Sequence, residues 1–586
     1  MGQPAKKIIQ QPLGSKSSND NSNMIEKIKA RRSNEIVIGL CGAVGSGVKK
    51  LKNILVPEFE KIEYKVEHIR LSELIFESCN KNSLLSLDDL HGYERYEILQ
   101  NYGDELRSEY DKSFVAQLAI NKINILRTES IKKEDKGLKN VGDDDILKTD
   151  EKVVYIIDQF KNPDEIILFK EIYSDAFYLI GLLRNENQRK QNLKDERISE
   201  ENIAKLMIRD KKSKKYGQNT EETILQSDYF IKNVDNNDIL RKDVRRFIDL
   251  MHGANNVTPT YDEIGMHNAY SASFGSACLS RQVGAAIMDD DGNILSTGCN
   301  DVPKFGGGLY HSNDQNDMRC FNRGKCFNDT HKGYLKKEID SILDNSLNKF
   351  LSIINSAIDE YASFINEKID GMLTCDVKEM PSDKRNDSIK SFIGVTQKKE
   401  LKNDVETIKN LKEYFLGESG KLKISDIIME DTKAKSLIEY SRAVHAEMDA
   451  LLALARTTSS STLNKTLYCT TYPCHNCARH IIAAGIKRVV YIEPYEKSLA
   501  IQLHNDAISL HQDDIINNKV SFQHYDGVSP KRYDDFFKYR HKRKNSDGTV
   551  KTIHSMDVPH VSQVHLDSYV EYELKIVSEL TKKEKG

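Results

Sequence analysis

The chain has no tryptophan among its 586 residues, and only ten cysteines and eleven prolines. Without indole rings it lacks a common stacking platform for single-stranded bases. Ten cysteines over such a length do not make a disulfide-held secreted scaffold, and no secretory leader is read ahead of them. Long apolar runs are missing as well: stretches such as "IVIGL" and "VVYII" are strand-sized, far short of the ~20 residues a membrane-spanning helix needs. Charge of one sign is also lacking. Lys and Arg total 86 against 89 Asp and Glu, a formal net charge of −3, so there is no global electrostatic footprint for nucleic acid. Gly2 is present, but Lys6 stands where a myristoylation pattern wants Ser or Thr. These absences predict a reducing, cytoplasmic protein that does not enter a membrane.

What is present is length, patterning and punctuation. A chain this long is expected to split into at least two domains. Residues 1–33 are polar and basic and read as a disordered tail. From "NEIVIGL" (Asn34 to Leu40) to about residue 250, apolar strands such as "VVYIID" and "DAFYLIGLL" alternate with helical patterns, which predicts a parallel α/β domain over 34–250. Pro259 marks a boundary. A second α/β domain is predicted over 259–586, opening with the strand–hairpin–strand "QVGAAIMDDDGNILSTG". Residues 333–439 carry Lys, Glu, Ile and Leu at helical spacing and read as a mostly helical insertion. A basic stretch, "YRHKRKNSDG" (Tyr539 to Gly548), reads as a solvated loop.

The most informative stretch runs from Ser441 to Ile482. His445, Ala446 and Glu447 open a helix with an apolar face, a strand "TLYCTT" follows, and Pro473, Cys474, His475, Asn476 and Cys477 open a second helix. His445, Cys474 and Cys477 are three metal donors. A closed structural zinc needs four ligands, whereas a catalytic zinc keeps one position for water. Glu447, two residues beyond His445, is placed to carry protons without being a ligand. H-x-E followed by P-C-x-x-C is the signature of zinc nucleobase deaminases. A lone C-x-x-C would read as a structural zinc or a redox pair; the upstream H-A-E selects the catalytic reading.

The chain resembles deoxycytidylate deaminases in "RQVGAAI", "STGCND", "RAVHAEMDALL" and "TYPCHNCARHI". With "NDVPKFGGGLY", "EPYEKS" and the glycine loop near the N terminus, its layout is similar to bacterial anti-phage dCTP/dCMP deaminases. That resemblance implies a cytidine deaminase-like α/β/α domain joined to an N-terminal P-loop, nucleotide-kinase-like domain. The implied activity is zinc-dependent conversion of dCTP or dCMP to dUTP or dUMP, which depletes dCTP during phage replication. By the same resemblance Asn300 would hold the sugar hydroxyl, and the backbone around Ala285, with Ala446, would line the base pocket. The family's aromatic and glycine are replaced by Cys299 and Asp301. Arg281, Arg442 and Lys497 are candidates for substrate phosphates, or else ordinary surface charges. The rival activities are a polynucleotide deaminase, which the absent tryptophan and the net charge disfavour, and a non-catalytic nucleotide sensor.

Gly42, Gly45, Ser46 and Gly47 sit between a strand and a helix, as a phosphate-cradling loop would. Val48 and Lys49 occupy the places of the Lys and Ser/Thr of a Walker A loop. Asp158 closes "VVYIID" as a Walker B acid would. Both a regulatory nucleotide with Mg²⁺ and a pure scaffold fit these residues. Cys320, Cys326, His311 and His331 are candidates for a second zinc, the alternative being ordinary thiols in a loop. Candidate partners are thus the deoxycytidine nucleotide substrate, a regulatory nucleotide, an inhibitory RNA and further copies of the chain.

Overall fold

The computed structural model describes residues 24–29, 32–80, 86–134, 151–211, 216–374, 424–432, 440–457, 460–495, 497–510 and 518–538, with short pieces near 410, 434–437 and 544–564. Residues 1–23, most of the charged loop near 132–152, the middle of the expected insertion and the start of the basic stretch at 539 lie outside them. Among the described residues no helix is long and apolar enough to cross a membrane. The chain forms two compact units, residues 1–267 with 524–586 and residues 268–523.

The first unit is built on a sheet of β1 (Ile36–Gly42), β2 (Lys65–Arg70), β3 (Val153–Phe160), β4 (Phe177–Leu183), β5 (Tyr229–Lys232) and β12 (Gly527–Val528), in the order β12-β5-β4-β1-β3-β2. All pairs are parallel except β12 with β5. β1 is central and every residue of it is buried, which is why it reads as an unbroken apolar run rather than an alternation. Three helices matter here: α1 (Val48–Glu60), α2 (Glu200–Lys211) and α3 (Asn237–Met251). α3 starts where the Asn236 side chain accepts from the Asp238 and Ile239 amides. Its Leu240, Val244, Phe247, Ile248 and Met251 recur every three or four residues and pack into the core with Leu51 and Leu55 of α1.

The second unit holds β6 (Gly284–Met288), β7 (Ile294–Cys299), β8 (Thr466–Thr471), β9 (Arg488–Glu493), β10 (Ile508–Ser509) and β11 (Val520–His524), in the order β10-β11-β9-β8-β6-β7. β6 runs antiparallel to β7 and β8, while β8 and β9 are parallel. The hairpin between β6 and β7 is closed by Asp289, whose carboxylate accepts from the Asp291 and Asn293 amides. Among its helices are α4 (Phe327–Thr374), α5 (Ala446–Thr457) and α6 (His475–Ala483). α5 lies so close over β7 that a Cβ on Gly298 would come within 2.3 Å of the Ala450 nitrogen, so this position needs glycine. Ser296 Oγ donates to the Ala450 carbonyl and fixes the helix in register.

Several boundaries differ from the sequence reading: Met24–Lys29, inside the expected disordered tail, is helical, and the first unit runs on to His267 rather than ending at 250. α4 begins at Phe327, six residues ahead of the expected insertion. The chain from His524 onward belongs to the first unit rather than to a domain running from 259 to 586. β12 adds to the sheet edge, the Val528 amide donates to the fully buried Glu263 carboxylate at 2.9 Å, and Phe536 packs against Tyr178 and Phe247.

Candidate active site

His445 immediately precedes α5, and the bond from the Val444 amide to the Asp301 carbonyl (2.9 Å) holds the chain just ahead of it. β8 carries the chain back to the same end of the sheet, where Cys474 caps α6 and accepts from the Cys477 amide. The result is that His445 Nδ1 lies 3.4 Å from both Cys474 Sγ and Cys477 Sγ. A tetrahedral zinc with nitrogen at ~2.05 Å and sulfur at ~2.3 Å sets such atoms ~3.6 Å apart, so the donor set fits that metal. Among the described residues this is the one group of three or more such donors whose ligand atoms all lie within 4.8 Å of one another.

The electrostatics favour a metal cation. Cys474 is held well below the ordinary thiol range, first by the hydrogen bond from Cys477 and then, against the opposing effect of burial, by His445. Cys477 is pushed up, because Cys474 takes the thiolate charge of the pair. Glu447, only 4% exposed, has its carboxyl raised chiefly by burial, so it holds a proton more readily than a surface glutamate.

These groups sit on one cavity of about 380 Å³. His445, Ala446, Glu447 and Cys474 line its floor, with Val283, Asn300 and Tyr472 on the walls and Arg281, Arg442, Tyr495 and Lys497 also bordering it. Arg281 is held by Glu493 at 2.7 Å and lies over the Tyr495 ring. Asn300 Oδ1 accepts from the Val283 amide at 2.7 Å and its Nδ2 donates to the Arg281 carbonyl at 2.9 Å. Asn300 therefore clamps the cavity wall from behind. The Ala285 side chain is fully buried within β6, and in the stretch around it Val283, two residues earlier, is the one that borders the cavity. Asp301, also buried, accepts from the Ala277 and Val302 amides and stays out of the cavity.

The family model of the cytidine and deoxycytidylate deaminase zinc-binding region matches residues 409–493, which contain the whole ligand set and Glu447. The second unit carries a deoxycytidylate deaminase-like zinc-binding domain. Over 69 residues the chain is 41% identical to the deoxycytidylate deaminases of Enterobacteria phages T2 and T4, covering 12% of this chain and 36% and 35% of theirs. The chain thus spans about a third of the length of these curated relatives. Among solved structures, the dCMP deaminase of cyanophage S-TIM5 in complex with dCMP and dUMP aligns at 16% identity and a TM-score of 0.19, covering 46% of this chain and all of that one.

The candidate second metal set does not converge, which leaves the alternative reading of ordinary thiols. Cys320 and Cys326 border the cavity, the His331 ring stacks on Tyr440, and the His311 amide donates to Asp314, with no metal-sized cluster among them. The two residues that follow Cys326, Phe327 and Asn328, also line the cavity, which sequence spacing alone did not signal.

In the first unit the glycine turn joins β1 to α1, with Gly45 at φ 78° and Gly47 at φ 90°. Asn192 and Asn233 donate to the Gly45 and Ser46 carbonyls, each at 2.8 Å, and brace it. Ser46 is buried, and Lys49 is exposed on the first turn of α1. Lys161 Nζ donates to the Gly42 carbonyl at 3.0 Å and to Asp210 at 2.6 Å, while the Val44 amide donates to Asp210 at 2.8 Å. A carboxylate thus already takes one N–H of the turn. Asp158 faces His68 at 3.5 Å. Lys161 and Asp210, 49 residues apart, are brought to the turn by the fold and carried no local signal.

Proposed function

We propose that the second unit hydrolytically deaminates deoxycytidine nucleotides, dCTP or dCMP, to the deoxyuridine nucleotides and ammonia. The observation that carries this reading is the convergence of His445, Cys474 and Cys477, with His445, Cys474 and buried Glu447 lining one nucleotide-sized cavity. His445 Nδ1 and the two thiolates would hold zinc, whose Lewis acidity makes water nucleophilic near neutral pH. Glu447 carries the first proton of the attacking water to the ring nitrogen N3 and the second, from the hydroxyl then on C4, to the amine, which leaves as ammonia as the C4 carbonyl forms; its burial suits this exchange. Asn300 fixes the wall against which the base lies, and its second Nδ2 hydrogen is available for the sugar. Arg281, Arg442 and Lys497 meet the phosphates. The deoxy sugar follows from the likeness to the phage deaminases.

By its layout the protein would act in anti-phage defence by depleting dCTP, in the cytoplasm and as a homo-oligomer. The first unit would bind a regulatory nucleotide, with Mg²⁺ near Asp158, at Gly42–Gly47. Its positive-φ glycines and Lys161 support that reading, with Asp210 having to yield the Val44 amide. The test is incubation of purified protein with dCTP, dCMP, CTP and a cytosine-bearing oligonucleotide, following ammonia release. Turnover of the two deoxynucleotides supports the proposal; turnover of the oligonucleotide alone replaces it with a polynucleotide deaminase.

A further inference from the structure

Phe327 opens α4 and lines the deaminase cavity. Three cations crowd its ring: the Lys325 ammonium at 4.9 Å, the Arg442 guanidinium at 5.0 Å and the Arg323 guanidinium at 5.1 Å from the centroid. No two of these charges can therefore lie more than about 10 Å apart. That is close to the Debye length of ~8 Å at physiological ionic strength, so salt only partly screens their repulsion. Among the described residues, none of the three is within ion-pair distance of a carboxylate. The contrast with nearby cations is direct: Arg319 is taken by Asp317, Lys304 by Asp314 and Arg281 by Glu493. The aromatic face offsets part of the repulsion, and the rest remains at the border of a cavity whose floor is built for a nucleobase.

The arrangement is presented on a braced turn. The Lys325 amide donates to the Cys320 carbonyl and the Arg323 amide to the Arg319 carbonyl, with Gly324 at φ 67°. Arg442 is anchored through a hydrogen bond to the Met318 carbonyl, which keeps it beside the same turn. A cluster of like charge with no carboxylate partner among the described residues, reaching the cavity border through Arg442 and Phe327, is matched by a polyanion.

We infer that Arg323, Lys325 and Arg442, gathered on Phe327, form a polyphosphate subsite that makes the deaminase read the number of phosphates on its nucleotide, favouring a 5′-triphosphate over a monophosphate. This rests on the nucleotide-deaminase reading of the same cavity. One phosphate is met by Arg281, Arg442 and Lys497; the β- and γ-phosphates of a triphosphate extend to Arg323 and Lys325. These two are exposed residues of a surface turn, so their truncation spares the core.

The test compares steady-state deamination of dCMP and dCTP by the zinc-loaded full chain and by the Arg323→Ala/Lys325→Ala double variant, at low and high salt. Loss of two charge-assisted contacts should lower kcat/KM for dCTP about tenfold, mainly through KM, and that for dCMP by ~twofold or less. The preference of the unaltered protein for dCTP should shrink as salt rises, and inorganic triphosphate should compete in the unaltered protein but not in the double variant. An Arg323→Lys variant should keep most of the preference. Equal losses for both nucleotides, no loss for either, or competition by single-stranded RNA in place of inorganic triphosphate would overturn the inference while leaving the deaminase reading in place. Failure of the unaltered protein to turn over any cytosine nucleotide is a separate result, which removes that reading and the inference with it.

Discussion

Replacing Asp301 should damage the deaminase unit although this side chain never reaches the cavity. Its carboxylate is 1% exposed and accepts from the Ala277 amide and the Val302 amide, each at 2.8 Å. Its own carbonyl accepts from Val444, the residue before His445. Asp301→Ala leaves two N–H groups without their acceptor, at about 1–3 kcal/mol each when buried, or ~2–6 kcal/mol together. For a unit of this size, with about 2–4 °C per kcal/mol, that predicts a melting transition lowered by roughly 4–24 °C. Asp301→Asn keeps one acceptor and should lose about half as much. Because Ala277 leads into the Arg281–Val283 wall, KM should rise more than kcat falls. The assay is a thermal melt of the full chain alongside initial rates. An Asp301→Ala protein melting within about 1 °C of the unaltered one, with unchanged KM, would refute the positioning role.

Removing zinc with a chelator should abolish deamination, and zinc, not Mg²⁺, should restore it, since thiolate and imidazole donors suit zinc; restoration by Mg²⁺ alone would contradict the assignment. Cys474→Ala should lower zinc content and activity together, checked by metal analysis. His252 is fully buried, with the Tyr64 hydroxyl and the Ile248 carbonyl as partners, and burial pushes it down to about 4. A depressed histidine favours the folded state most when neutral, so its contribution is complete above the unfolded value of ~6.5 and is lost as the pH falls toward 4. The first unit should be about 2 kcal/mol less stable at pH 5 than at pH 7.5 from this group, read as urea midpoints; a His252→Gln protein should show a shallower dependence. Gly47→Val should abolish nucleotide binding by the first unit without changing zinc content, because φ is 90° there and a Cβ would meet Asn233 at 2.7 Å; unchanged binding by calorimetry would exclude the loop as the site.

The donor set was legible in the sequence because its spacing is local. H-x-E puts ligand and carboxyl at one helix start, and P-C-x-x-C puts two sulfurs in the first turn of another. The central strands were legible for a similar reason: buried parallel strands such as Ile36–Gly42 are apolar throughout. What escaped depended on distant partners. β12 is two residues long and means nothing until Glu263 and β5 are beside it. Asn300 read as a sugar ligand from the resemblance alone; that its amide also braces the Arg281–Val283 backbone, with one Nδ2 hydrogen left over, needed the fold. Cys320, Cys326, His311 and His331 have donor chemistry, but α4 carries His331 against Tyr440 instead.

In the proposed reaction His445, Cys474 and Cys477 hold zinc while Glu447 moves the protons. The most direct test is Glu447→Gln, an isosteric change at a 4% exposed position, assayed for zinc content and for ammonia release from dCTP and dCMP. The account predicts about one zinc per chain in both proteins and a rate lowered by ~10²-fold to 10⁴-fold or more in the variant. Near-normal turnover by a fully zinc-loaded Glu447→Gln protein would contradict it.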